Sequence, residues 1–347
     1  MFEIRMFAMY LAVVAGVYAA QMAAGPLYQP GDVRAGKDVP DPLTPPATTG
    51  PQWRVAPNIE LHHFEQGSGT PILVVHGGPG FPPTRPWRAG TLLSGDFRFI
   101  YYHQRGCGLS SRPIQSFQNQ DMPGNMRNLH QTLGLPAQIA DIERIRRILG
   151  IEKLILLGHS FGADIATLYA AEFPEHVQAL VLVAPANMAV FPSQDPGLFE
   201  RVRQRLPDEM KPEYGMYLGE YFDFRRAFQR TDAESSAFFA RFGKFYGAAT
   251  GGTAPQSSDA ATAGFVPLAV FCSMGQRHDY SAAYKSVHVP TLVVHGENDL
   301  QPESVSRDFG AYFTNSRFVR IEGAGHFVFD DRPQEFAGEI RRFIAGL

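Results

Sequence analysis

The sequence predicts an α/β fold: a mostly parallel sheet flanked by helices, carrying an inserted helical lid. Three observations predict it. From Gln52 onward, short continuous apolar runs alternate with segments of helical periodicity, and uninterrupted apolar runs suit parallel strands buried on both faces. One such run ends in Gly158-His159-Ser160-Phe161-Gly162, a G-x-S-x-G that joins a strand to a helix through a sharp turn. Between about Ala186 and Val287 the alternation stops and aromatic residues and helix formers take over.

A chain of 347 residues is long enough for one large core with an insertion. Hydrophobic residues make up 44% and charged residues 19%, which excludes global disorder. The net charge of -3 supplies no phosphate-neutralising face, so no nucleic-acid partner is expected. The arginine pairs at 146–147, 225–226 and 341–342 read as solvated helix faces. Cys107 and Cys272 make neither a disulfide framework nor a zinc pattern and are read as two unpaired thiols. No metal-ligand cluster or cofactor fingerprint is present, and the expected partner is a small molecule or short peptide.

Residues 1–24 form the first unit. Met6 to Ala24 is apolar except for Gln21 and follows Arg5. It reads as a secretory signal peptide or an N-terminal membrane anchor, so the protein is expected to be exported: periplasmic, secreted or membrane-attached through residues 6–24. Residues 25–51 hold seven prolines and four glycines and read as an extended, poorly ordered linker. The core domain is then expected over 52–185 and 288–347, with the lid at 186–287.

Within the core, Ile72–Val75 is a strand ending in His76-Gly77-Gly78-Pro79-Gly80, and Phe97–Tyr102 is a strand ending at Gln104-Arg105-Gly106. Ile142, Ile145, Ile148 and Leu149 mark a helix from Asp141 to Leu149, closed by Gly150. Leu154–Leu157 is the strand before the elbow, Ala163–Phe173 the helix after it, and Pro174 stops that helix. Ala179–Val183, Thr291–Val294 and Phe318–Ile321 are further strands, and Phe336–Ile344 is a closing helix. The aromatics of the lid, among them Tyr214, Tyr217, Phe238 and Phe245, read first as packing.

The elbow makes Ser160 a candidate nucleophile, because the turn lifts its Oγ clear of the sheet and aims a helix N-terminus at a developing oxyanion. A serine needs a base. Among eleven histidines, His326 lies in Gly323-Ala324-Gly325-His326-Phe327, between the last strand and the last helix, which suits the chain order serine, acid, histidine. His295 precedes the acid and is the weaker candidate. The base needs an orienter, and Asp299 closes the turn after the strand at Thr291–Val294. Glu297 is its near neighbour. The oxyanion donors are expected to be the N–H groups of Phe161, which follows the nucleophile, and Gly78. His76 is expected to brace the glycine loop by hydrogen bonding rather than act as a second base.

With these residues in view, the chain from Gln52 to Leu347 resembles the α/β-hydrolase superfamily and, within it, the prolyl iminopeptidase-like serine hydrolases. His76-Gly77-Gly78-Pro79-Gly80 matches the oxyanion loop of that group, and Gln104-Arg105-Gly106-Cys107-Gly108-Leu109-Ser110 is similar to its Asp-Gln-Arg-Gly-x-Gly-x-Ser segment. The resemblance implies a serine hydrolase working through an acyl-enzyme, with an aminopeptidase acting on N-terminal residues as the first substrate reading. There are departures. His103 stands where the group has aspartate, the elbow lacks the Gly-Gly-Ser-Trp-Gly of the peptidases, and both tryptophans, Trp53 and Trp87, lie outside the lid. In the peptidases, lid glutamates hold the substrate amine. Glu200, Glu209, Glu213, Glu220 and Glu234 lie in this lid, none in a matching motif. The alternative is a carboxylesterase or lactonase acting on small hydrophobic acyl groups.

Overall fold

The structure, a computed structural model, describes residues 25–193, 195–251 and 263–347. Its centre is a seven-stranded sheet in the order β11-β10-β7-β6-β4-β5-β3. The strands are β3 (His63–Gly67), β4 (Thr70–Val75), β5 (Phe97–Tyr102), β6 (Leu154–His159), β7 (Val177–Val183), β10 (Thr291–Gly296) and β11 (Ser316–Ile321). All pairs are parallel except β3 with β5. A hairpin of β1 (Trp53–Ala56) and β2 (Ile59–Leu61) precedes the sheet. The antiparallel pieces were not among the expected elements, because their apolar residues are few and alternate with polar ones.

The buried strands show why the apolar runs are continuous. In β4, Leu73 and Val75 face one core while Ile72 and Val74 face the other. In β6, Leu154 and Leu156 take the first side and Ile155 and Leu157 the second. Side chains alternate in a strand, so two buried faces demand apolar residues at every position. Helices Leu135–Leu149 and Phe161–Glu172 cover one face, and Pro333–Ile344 covers the other. The helix expected from Asp141 begins earlier, at Leu135, because Pro136 sits in its first turn, where its missing N–H costs nothing.

The expected lid contains helices Gly197–Arg205, Lys211–Tyr221, Phe224–Gln229, Asp232–Ala240 and Phe242–Ala249. Most of its aromatics pack on one another. Tyr217 stacks on Phe238 at 4.9 Å, and Tyr214 lies 4.9 Å from Phe245. Helix Val266–Met274, in the same stretch, packs instead into the core beside the sheet. Strands β8 (Val190–Phe191) and β9 (His278–Asp279) pair antiparallel and bring the ends of the insertion together.

One expectation is corrected. Residues 25–51 are not a poorly ordered linker ahead of a domain that starts near Gln52. Tyr28 and Val33 are fully buried, and the carboxylate of Glu172 is wrapped by this segment. Its oxygens accept the Tyr28 hydroxyl at 3.0 Å and the N–H groups of Gly31 at 2.7 Å, Val33 at 3.4 Å and Arg34 at 3.0 Å. A buried carboxylate needs several such donors to offset lost hydration. Proline and glycine content says nothing about where backbone N–H groups converge. Replacing Glu172 by Gln removes the charge and one acceptor. It should lower unfolding free energy by about 2–3 kcal/mol, read as a reduced urea midpoint at unchanged slope.

The apolar run Met6–Ala24, read as a signal or anchor, lies outside the described residues. Among those described, no helix is long and apolar enough to cross a membrane. Cys107 and Cys272 are buried and unpaired, and burial pushes both thiols up to about 12.

Candidate active site

Strand order reverses between β4 and β6, which are neighbours in the sheet although β5 separates them in sequence. The carboxyl ends of strands at such a switch point form a ligand crevice. Here the register pairs Val75 with Gly158. The loop after β4 therefore lies beside the elbow after β6.

Ser160 occupies that elbow with φ 53 and ψ -125, a region closed to most side chains and tolerated where the surroundings enforce it. Its N–H donates to Val183 O at 2.9 Å, and its own carbonyl accepts the Ala163 N–H at 3.0 Å. Gly162 is required by close approach, since a Cβ there would collide with the carbonyl oxygen of Val75. Helix Phe161–Glu172 starts immediately after Ser160.

The glycine loop approaches from the other side. A Cβ on Gly77 would stand 2.7 Å from Ser160 Cβ and 3.3 Å from Phe161 N, so this backbone has room only for glycine. Among the described residues, the N–H groups of Gly78 and Phe161 have no hydrogen-bond acceptor. His76, 2% exposed, holds the loop from beneath. Its Nε2 accepts the Gln104 N–H at 3.1 Å, which leaves the proton on Nδ1, 3.0 Å from Gly77 O. The Gln104 side chain donates to His76 O at 2.9 Å. Burial drives the His76 pKa down to about 3, so the ring is a neutral brace and not a base.

The remaining motif residues support this loop at one remove. Arg105 forms a buried ion pair with Asp141 at 2.5–2.6 Å. His103, which departs from the acid of the resembling group, is neutral: burial lowers its pKa to about 4. Its Nδ1 accepts the Leu109 N–H at 3.0 Å and its Nε2 lies 3.1 Å from Pro83 O. An uncharged ring thus does the bridging here.

The acid and the late histidine come from the adjacent pair β10–β11, where Gly296 is in register with Ile321. The Asn298 N–H donates to Ala324 O at 2.7 Å, and Glu297 accepts the Gly323 N–H at 2.9 Å, which ties the two loops together. Glu297 is thus occupied away from the histidine ring. Asp299 Oδ2 lies 2.8 Å from His326 Nδ1, and Oδ1 accepts the Gln301 N–H at 3.0 Å. Burial pushes the Asp299 carboxyl up, but the His326 ring beside it and these hydrogen bonds outweigh burial and hold it below its ordinary value. An ionised Asp299 fixes the His326 proton on Nδ1 and leaves Nε2 as the basic nitrogen. His295 bonds Ser306 at 3.0 Å instead and is buried.

Two supporting residues escaped the sequence reading. His159, the variable residue of the elbow, has Nε2 3.0 Å from His326 O and its ring 4.7 Å from the His326 ring. It is wedged between the stacked pair Trp87–Phe329 and Phe327. Asp331 accepts the Gly325 N–H at 2.8 Å and so anchors the histidine loop. Neither occupies a position that a short motif marks. The inserted helices reach the site through Tyr246, whose ring lies 6.3 Å from that of His326.

Buried neutral histidines, among them His76, His103 and His159, make stability depend on acid. Burial lowers His76 and His159 to about 3 and His103 to about 4, from 6.5. Their contribution is complete above 6.5 and is lost as pH falls toward these folded values, because the unfolded chain takes up protons the folded chain refuses. Each gives about 1.4 kcal/mol per pH unit in that window. Asp164 acts in the opposite sense. Burial raises it to about 7 from 3.8, so the folded chain holds its extra proton between those values. The net expectation is that stability falls as pH is lowered from 6 to 4, measured as the urea midpoint against pH. A midpoint flat across that range would show that these rings are protonated in the folded protein.

Residues 70–333 match the family model described as alpha/beta hydrolase fold. This chain is an α/β hydrolase. Its loop motifs are similar to those of the prolyl iminopeptidase-like group. A proline iminopeptidase of Lactobacillus helveticus (strain DPC 4571) is 24% identical over 298 residues, covering 81% of this chain and 91% of that protein. Among solved structures, a thermophilic esterase from Thermogutta terrifontis superposes with TM-score 0.54 at 22% identity, covering 83% and 94% of the two chains. A bromoperoxidase from Bacillus anthracis does so with TM-score 0.57 at 18% identity, covering 83% and 96%. At such identities the solved structures attest the fold of this hydrolase and leave its substrate to its own site.

Proposed function

We propose that this α/β hydrolase cleaves carboxylic esters, with small hydrophobic acyl groups, through an acyl-enzyme on Ser160. His326 Nε2 takes the serine proton as Oγ attacks the carbonyl carbon. The N–H groups of Gly78 and Phe161 receive the oxyanion, and Asp299 stabilises the imidazolium. Collapse expels the alcohol, which takes its proton from His326. Water, activated by the same nitrogen, then releases the acid.

The observation that carries the ester reading is the employment of the lid carboxylates. An aminopeptidase must hold a buried substrate ammonium with an unspent carboxylate. Glu200 pairs with Arg203, Glu213 with Lys244, and Glu220 with Arg226, Arg230 and Arg241. Glu234 closes a capping box with Thr231, and Glu209 is exposed in a short 3-10 turn. Among the described residues, no lid glutamate is left to receive an amine in the crevice.

A second reading, removal of N-terminal residues from peptides, is favoured by the His76–Gly80 loop and by the Lactobacillus relative. One paired assay separates the two: short-chain p-nitrophenyl ester against proline-arylamide cleavage, with Ser160→Ala as the blank. The expected result is ester cleavage that depends on Ser160, with little arylamide cleavage. Dominant arylamide cleavage would overturn the ester reading and place an amine site in the lid.

A further inference from the structure

The packed N-terminal segment makes the entry of the chain into the folded body a fixed point. Tyr28 is tied to Glu172, its backbone N–H to Ser273 O at 3.0 Å, and its carbonyl to the Tyr280 hydroxyl at 3.2 Å. The apolar run Met6–Ala24 ends two residues before Pro26. Two residues span at most about 7 Å. Whatever receives that run must lie against the surface around Pro26.

That surface has a distinct character. Pro26, Gln29, Val190, Phe191 and Pro192 are among the residues that line an open cavity of about 630 Å³. Val190 and Phe191 are 36% and 38% exposed. They are the one pair of chain neighbours among the exposed large hydrophobics of the described residues. Arg277, also on the rim, is exposed and has no ion-pair partner among the described residues, and Asp279 lies two residues on. One cation and one anion leave the face nearly neutral, so its affinity is apolar. The run of nineteen residues from Met6 to Ala24 is far too bulky for this cavity and is apolar on every side, a character that suits lipid.

We infer that the face built by Pro26, Val190, Phe191, Pro192 and Arg277 is a membrane-contact surface. It seats in the headgroup region of a bilayer that the run Met6–Ala24 enters. Phe191 and Val190 then take the place interfacial apolar residues occupy, and the Arg277 guanidinium meets lipid phosphate.

The test uses the full chain with phosphatidylcholine vesicles. Single variants Phe191→Cys and Glu152→Cys are labelled with an environment-sensitive fluorophore. Glu152 is exposed at the turn before β6, and the native cysteines are buried. Urea midpoints check that each labelled variant is folded. The expected result is flotation with the vesicles, a blue shift at position 191, and quenching there by headgroup-level nitroxide lipid severalfold stronger than at position 152. Flotation with neither label shifted would overturn the inference, because the body would then hang away from the bilayer. Equal shifts at both positions would overturn it by showing unspecific adsorption. A chain that stays with the aqueous fraction would overturn it as well, leaving the cavity to a protein partner.

Discussion

Replacing Ser160 by Ala should lower kcat on a short-chain ester by roughly 10⁴–10⁶-fold, with KM changed little. The oxygen removed is the atom that forms the acyl bond, and the elbow that presents it remains. The backbone at Ser160 is strained at φ 53 with serine, and alanine has the same backbone demands, so the fold should survive. Circular dichroism and the urea midpoint of the variant check this. Remaining turnover comes from the oxyanion donors and the bound substrate geometry. A folded variant that kept most of its activity would sink Ser160 as nucleophile and, with it, the acyl-enzyme route.

Asp299→Asn should cost about 10⁴-fold in kcat, by a different route. The carboxylate accepts from His326 Nδ1 at 2.8 Å. An amide in its place offers an N–H to that nitrogen, moves the ring proton to Nε2 and removes the base. The substitution keeps volume and the Gln301 contact, so stability should fall less than activity. The decisive comparison is mass spectrometry of an acylated Ser160 after mixing with a slow ester. Wild type should accumulate the adduct within the dead time, and the Asn variant should acylate slowly to the same final stoichiometry. Rapid acylation by the Asn variant would remove Asp299 from its orienting role and return attention to Glu297 or His295.

The core of the fold, the elbow at Ser160 and the Asp299–His326 pair were legible because each rests on a local pattern. A buried parallel strand must be apolar throughout, and the elbow must carry small residues where backbone crowds it, as at Gly162 against Val75. His326 and Asp299 could be chosen because both follow strands near the end of the chain, where a late acid and base are expected. His76 could be read as a brace because it abuts the glycines it supports. What stayed hidden depends on distant partners. His159 looked like a filler residue within its motif, and its role exists only once the loop of His326 folds over it. The lid glutamates looked available as amine ligands, and only the folded lid reveals the lysine and arginines that occupy them. The segment 25–51 looked like a linker because its donors converge on a carboxylate far along the chain.

That last contact also bears on the order in which the molecule is made. Gly31 and Glu172 are separated by 141 residues in sequence, so the first described residues leave the ribosome long before their acceptor exists. Contacts of such separation close late, after loop entropy has been offset by nearer pairings. The strands β4, β5 and β6 and their helices can associate while residues 28–34 still wait. Docking of those residues onto Glu172 then registers that helix Phe161–Glu172, which begins at the nucleophile, has been synthesised and placed. A nascent chain whose Glu172 is still inside the ribosome should leave residues 31–34 open to protease, and one in which Glu172 has emerged should begin to protect them.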